Sequence, residues 1–401
     1  MPYEVALVRC PDYDDARVRA AISAALAPLG GLEKYITPGQ RVLIKLNLLS
    51  AKPPALAVTT HPALVKAVVQ MVQQLGATPI VGDSPGGVST PSSYEALLKI
   101  TGIRQVIDET GCAWVNFDED VTEISAPAAR TFRKFTVAKI VTEVDAVIAL
   151  PRLKTHQFTF MTGGVKLLYG YLPGLIKPEY HLHAGKDPDT FAELLIDLHQ
   201  TLPPTLTILD MIVAMEGNGP AHGTPRPVGL LLASPSATAI DFVAATIINL
   251  VPLRVPTIRT AHERGLGPGR LDEITVHGED PLAVRVLDFQ QAKTMSSSGI
   301  PPWFAKISTW LFASRPVIDA QSCVRCGKCV ESCPPKTMHQ AVGEIPDIDY
   351  GPCLRCYCCH ELCPVGAVRI APPRVSFPVN LGDKFFPALQ KWLRKLRKKT
   401  G

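Results

Sequence analysis

Eight cysteines near the C-terminus carry the most legible chemistry in this chain. Cys323, Cys326, Cys329 and Cys333 follow the spacing C-x2-C-x2-C-x3-C with Pro334 after the last, and Cys353, Cys356, Cys359 and Cys363 repeat it with Pro364. Thiolates spaced in this way ligate iron–sulfur clusters: three close cysteines wrap one face of a cubane, and the fourth, followed by proline, crosses over to the other cluster. Two copies therefore predict two [4Fe-4S] clusters. Cys323, Cys326, Cys329 and Cys363 would hold the first, and Cys353, Cys356, Cys359 and Cys333 the second. Zinc knuckles and a disulfide framework are the competing readings. Zinc sites usually pair two C-x2-C halves or recruit histidine, and disulfide frameworks belong to short secreted chains, so neither accounts for one repeated spacing of eight cysteines. Cys358 is an extra thiol inside the second repeat, either a packing residue or an alternative ligand.

The repeat resembles the bacterial two-cluster ferredoxin module. With every coordination position filled by cysteine, no iron is left open for substrate chemistry, so the module reads as a conduit for electrons. Whatever is reduced must bind elsewhere.

Upstream, polar residues gather just after apolar runs, where open α/β sheets place their ligands. Lys45 and Asn47 lie in the first such run, Asp83 and Ser84 follow the second in GDSPGG, and Lys154 and His156 follow the fourth in PRLKTH. The TGGVK segment at 162–166 then brings Gly163, Gly164 and Lys166, whose backbone amides and ammonium suit an anion, although loop punctuation is the plainer reading of the glycine pair. Lys154, Lys166, His156 and Asp83 are the candidate catalytic groups, the lysines holding an anion and His156 or Asp83 supplying protons. Lys45, Asn47, Gly163 and Gly164 are the candidate cofactor-binding positions. His181 and His183 in KPEYHLH suit an additional metal if the segment is extended, against the blander reading of solvated loop histidines. No G-x-G-x-x-G fingerprint supports nicotinamide binding.

The elements that must position these groups read as α/β. Short apolar or β-branched runs at 42–49, 78–82, 113–117, 146–150, 206–213, 228–233 and 273–276 alternate with helical patterns at 12–29, 60–75, 92–100 and 190–202, the second capped by Thr60. The expected fold is a large α/β domain with a mostly parallel sheet, plus a small α+β two-cluster domain. The boundaries fall at 1–295 for the α/β domain, 296–318 for a linker with an aromatic amphipathic segment, 319–372 for the cluster domain and 373–401 for a basic amphipathic tail.

A further resemblance rests on Lys45-x-Asn47, Thr60-His61-Pro62, Gly82-Asp83-Ser84, Pro151-x-Leu153-Lys154-Thr155-His156, Thr162-Gly163-x-x-Lys166, Tyr169-Gly170 and Glu216-Gly217-Asn218-Gly219-Pro220. Together these resemble the family catalogued as domain of unknown function 362 (DUF362), whose members often end in a ferredoxin module. The resemblance implies an iron–sulfur protein without fixing a substrate. A more distant likeness is to the N-terminal part of nickel-dependent lactate racemases.

Composition narrows the function classes. At 46% hydrophobic and 19% charged residues, the chain is an ordinary globular one. The net charge of +5 is concentrated in residues 380–401, which carry seven lysines and arginines against Asp383. Leu389, Trp392, Leu393 and Leu396 share a helical face there, which suits peripheral contact with an anionic membrane or an acidic partner as well as a solvated tail. Nucleic acid is not expected, because the basic charge sits at one end and no recognition fold is evident. MPYEVALVRC lacks a secretory pattern, so the expected location is cytoplasmic, with peripheral contact at the inner face of the membrane. The functional expectation is a ferredoxin-fused oxidoreductase that receives electrons from a redox partner protein and passes them to an anionic ligand. The alternative is a non-catalytic electron-transfer or docking subunit of a larger complex.

Overall fold

The computed structural model describes residues 3–85, 90–174, 176–292 and 314–371. One mixed, mostly parallel sheet dominates. Its strands are β1 (Tyr3–Arg9), β2 (Arg41–Lys45), β3 (Thr78–Asp83) and β4 (Ala113–Asn116), then β7 (Ala146–Ala149), β10 (Leu206–Glu216), β11 (Thr224–Ser234) and β12 (Ile274–Gly278). Between them run β5 (Val121–Ser125) and β6 (Lys134–Ala138), a separate hairpin, and β8 (Arg152–His156) and β9 (Phe160–Thr162), which attach to β10. The order across the sheet is β12-β1-β11-β10-β7-β2-β3-β4. From β10 through β7, β2 and β3 to β4 every pairing is parallel, whereas β11 runs antiparallel to both its neighbours.

Alternation along the strands explains the layers, since successive side chains face opposite sides of a sheet. Val42 and Ile44 of β2 face a core closed by the Asp15–Leu26 and Pro62–Gln74 helices, while Leu43 between them faces the core that holds Phe191, Leu194 and Leu195 of the Pro188–Thr201 helix. A third cluster packs Leu7, Met211 and Leu232 under the Ala237–Ile247 helix. The predicted cap of the second helix shifts by one residue. His61 is the N-cap, its Nδ1 accepting from the Ala63 amide, because the Thr60 hydroxyl is spent tying the Asn47 amide to the Leu150 carbonyl.

The cluster domain begins earlier than its sequence boundary of 319. β13 (Arg315–Ile318) pairs antiparallel with β16 (Val368–Ala371), so the first strand of this domain lies in what read as linker, and a second pair joins β14 (Met338–His339) to β15 (Asp347–Ile348). The domain sits against the α/β core. Tyr357 packs into the same cluster as Phe135 and Leu168, Lys52 donates to the Pro364 carbonyl at 2.8 Å, and His222 Nε2 lies 3.0 Å from the His360 carbonyl. The aromatic segment within 296–313 and the tail within 373–401 lie outside the described residues.

Candidate functional site

The chain leaves β2 toward β3 on one side, and later places β7 on the other side of β2, so a switch point opens at the carboxyl ends of these strands. Ligand crevices form at such points. Lys45 ends β2 and Asp83 ends β3, and their Nζ–Oδ1 distance is 2.6 Å with both side chains buried. Asp83 also accepts from the amides of Leu48 and Ser84, while Lys45 donates to its neighbour's carbonyl at Leu46. Burial lowers the Lys45 pKa, and the Asp83 carboxylate opposes that shift. Asp83, with its oxygens already engaged by three donors, is a fixed counter-ion rather than a free proton donor.

A cavity of about 370 Å³ lies over this pair, between the α/β domain and the cluster domain. Lys45, Asn47, Asp83, His156 and Lys166 line it from one side, and Cys358, Glu361, Cys363 and Pro364 from the other. His156 ends β8, and its Nδ1 accepts from the amides of Phe158 and Thr159 at 3.0 and 3.2 Å. A neutral ring that accepts at Nδ1 carries its proton on Nε2. That nitrogen lies 3.0 Å from Glu361 Oε1 of the cluster domain. Burial, and then the charge of Lys166, lower the His156 pKa to about 4, so the ring is a neutral donor near pH 7. Burial works against ionisation of Glu361, but His156, Lys166 and His181 outweigh it and lower its pKa to about 2.

Lys166 has no hydrogen bond or ion pair within 4 Å among the described residues, yet faces Glu361 electrostatically; burial lowers its pKa. Beside it, His181 stacks on Phe191 with ring centroids 4.5 Å apart, and its Nδ1 is buried without a hydrogen-bond partner among the described residues. Lys177 also lines the cavity and donates to the carbonyl and hydroxyl oxygens of Ser84, its pKa lowered to about 8 chiefly by burial. The wall carries five lysines against three carboxylates and therefore favours an anion.

Three expected residues lie elsewhere. Lys154 is buried behind the cavity wall, its ammonium donating to the Val58 carbonyl at 2.8 Å. Gly163 and Gly164 do not line the cavity, and amides of this loop are already taken by a carboxyl group of the chain's own. Gly164 and Val165 donate to the two carboxylate oxygens of Asp241 at 2.6 and 3.1 Å. Extended backbone was the condition for a metal at His181 and His183, and both residues instead lie on the Lys177–Ala184 helix.

The cysteines gather around two hollows. One is lined by Cys323, Cys326, Cys329 and Cys363, the other by Cys333, Cys353, Cys356 and Cys359. Among the described residues, no group of three or more histidines, cysteines, aspartates or glutamates is arranged to hold a single metal ion.

Residues 42–246 match the model of the domain of unknown function DUF362, and residues 315–364 match a 4Fe-4S dicluster domain. The chain belongs to the DUF362 family. A thylakoid-associated protein of Synechocystis sp. is 39% identical over 273 residues, which cover 67% of this chain and 81% of that one. Among solved structures, the lactate racemase apoprotein of Thermoanaerobacterium thermosaccharolyticum aligns with a TM-score of 0.40 at 14% identity, over 59% of this chain and 54% of its own. A Thermotoga maritima protein aligns at 0.34 and 10% identity, over 57% of each chain. The dicluster match makes this DUF362 member an iron–sulfur protein of the electron-transfer kind.

Sequence reasoning about this DUF362 chain did not reach Glu361, and it gave no site role to Tyr169 or Lys177, although all three line the cavity. Glu361 sits two residues from Cys359 and two from Cys363, where the cysteine spacing draws attention to ligands only. Its pairing with His156 spans a sequence separation that no local pattern encodes.

Proposed function

We propose that the protein is an iron–sulfur oxidoreductase in which the C-terminal domain delivers low-potential electrons to an anionic ligand held in the cavity between its two domains. The observation that carries this reading is the shared wall: Cys363, which lines one cysteine hollow, also lines the cavity that holds Lys166 and His156. The cysteine sets fit two cubanes, with Cys323, Cys326, Cys329 and Cys363 holding one and Cys353, Cys356, Cys359 and Cys333 the other. Their hollows stand apart, and the all-thiolate donor set is the one such clusters take. When bound, the clusters supply one-electron transfer. The chain's own residues do the rest: Lys166 attracts the anion, the Nε2–H of His156 donates toward it, and the packed domain interface limits water.

A redox partner protein supplies the electrons. In this reading the protein is cytoplasmic, with the basic tail of residues 388–399 holding it peripherally at the inner face of a membrane; the thylakoid-associated relative supports membrane contact. That same relative favours a second reading, a docking or electron-transfer subunit of a membrane-associated redox complex.

The experiment is anaerobic purification, mass spectrometry of small molecules that travel with the protein, and addition of each to dithionite-reduced protein. Cluster reoxidation by one of these anions, lost in Lys166→Met, is the expected result. If no small molecule reoxidises the clusters while a partner bound through residues 388–399 does, the subunit reading replaces the enzyme.

A further inference from the structure

Glu361 is a carboxylate from the cluster domain placed inside a cationic cavity of the other domain. Its Oε1 accepts from His156 Nε2–H at 3.0 Å, and Lys166 and His181 face it electrostatically. The remaining cations of the wall are engaged or solvated. Lys45 is matched by Asp83, Lys52 holds the Pro364 carbonyl, Lys177 holds Ser84, and Lys328 is exposed. An anion that enters the cavity therefore finds one set of unspent donors, and Glu361 already stands on it. The surrounding wall includes Leu48, Leu49, Leu97 and Leu167.

We infer that the ligand is a carboxylic acid with an apolar body, and that Glu361 occupies the place of its carboxylate until the ligand displaces it. The inference rests on the cavity being the ligand site proposed above. Carboxylate chemistry follows from the occupant: a planar, singly charged group that accepts from the neutral His156 N–H and faces the Lys166 ammonium matches the one already there, whereas a doubly charged phosphate would face too few donors. Displacement also has a route to the clusters. Glu361 ends the short helix Cys358–Glu361, with Cys359 and Cys363 each two residues away, so its release moves the segment that carries a cysteine of each set. Ligand occupancy and cluster environment are thereby coupled.

The test uses the anaerobic, cluster-loaded protein with benzoate, acetate and inorganic phosphate as probes, measured by calorimetry and by electron paramagnetic resonance of the reduced clusters. Removing a resident competitor that fills the site about nine-tenths of the time tightens binding about tenfold, so Glu361→Ala should bind benzoate about tenfold more tightly than the unaltered protein. Acetate should bind more weakly than benzoate, phosphate should not compete, and Lys166→Met should lose benzoate. Benzoate should shift the resonance of the unaltered protein, and Glu361→Ala should show that shift without ligand. Glu361→Gln keeps an acceptor for His156 while dropping the charge, and serves if the alanine variant does not fold. Equal benzoate affinity with and without Glu361, no benzoate binding by any variant, or preference for phosphate overturns the inference. Tight benzoate binding by Glu361→Ala alongside clusters that no small molecule reoxidises strikes the oxidoreductase reading alone. Equal affinities with continued reoxidation strike this inference alone.

Discussion

Lys45 and Asp83 form a 2.6 Å ion pair at the ends of adjacent parallel strands, with side chains only 1% and 4% exposed. A buried pair gains little over an apolar one, but removing one partner strands the other charge. Lys45→Met should therefore destabilise the fold by about 3–5 kcal/mol, and Lys45→Met/Asp83→Asn should recover part of that loss. Gly170 reports on the same pair: a Cβ there would lie 2.9 Å from Asp83 Oδ1 and closer still to the Lys45 ammonium, so Gly170→Ala should resemble Lys45→Met. Chemical denaturation of the cluster-loaded proteins measures all three. A double variant less stable than Lys45→Met alone would contradict the stranded-charge account.

Asp241 gives a pH dependence of definite sign. Burial raises its pKa from 3.8 to about 7, against the opposing effect of the Gly164 and Val165 amides. Between those values the folded chain holds a proton that the unfolded chain has released. This contribution to stability is full below pH 3.8 and is lost as pH rises through about 7. Asp241→Asn should flatten that slope, so the stability difference between variant and unaltered protein should change between about pH 4 and about pH 7 and level off above that. A constant difference would show that Asp241 does not titrate in this range.

Much of the frame was readable from the chain because its causes are local. The strands ending at Lys45 and Asp83 follow from apolar runs with polar residues behind them, and the repeated cysteine spacing marks the second domain. What escaped depends on distant partners. The TGGVK amides resemble an anion nest, but they are filled from within by the carboxyl group of Asp241, which lies 77 residues from Gly164. β11 runs antiparallel between β1 and β10, an order that no periodicity specifies. Glu361 became visible only when the cluster domain was seated on the cavity, and β13 read as linker because its partner β16 lies at the far end of the domain.

Lys154 and Lys166 look equivalent in the sequence and are not. Lys154, whose pKa burial lowers to about 7, holds the Val58 carbonyl behind the wall, while Lys166 faces the cavity without a hydrogen bond among the described residues. Lys154→Met orphans a buried carbonyl and should cost about 1–3 kcal/mol of stability, with ligand affinity retained. Lys166→Met should leave thermal stability unchanged or raised, since it removes a desolvated charge, while anion binding is lost. Melting curves paired with benzoate calorimetry separate the two; matched losses of stability in both variants would remove the distinction.

The crossover of the fourth cysteines can be tested residue by residue. Cys333 follows the first three cysteines in sequence, yet lines the hollow of Cys353, Cys356 and Cys359, while Cys363 lines the other. Cys326→Ser should therefore damage the first cluster and Cys333→Ser the second, although both lie in the first repeat. Each substitution should lower iron and acid-labile sulfide from about eight per chain toward about four, the content of one cubane lost. The magnetic interaction between the two reduced clusters should vanish in both variants. The spectrum of the cluster that remains should differ between them, because Cys326→Ser spares the buried hollow beside Tyr357, and Cys333→Ser spares the one that reaches solvent at Cys326. Identical residual spectra would mean that the fourth cysteine stays with its own repeat.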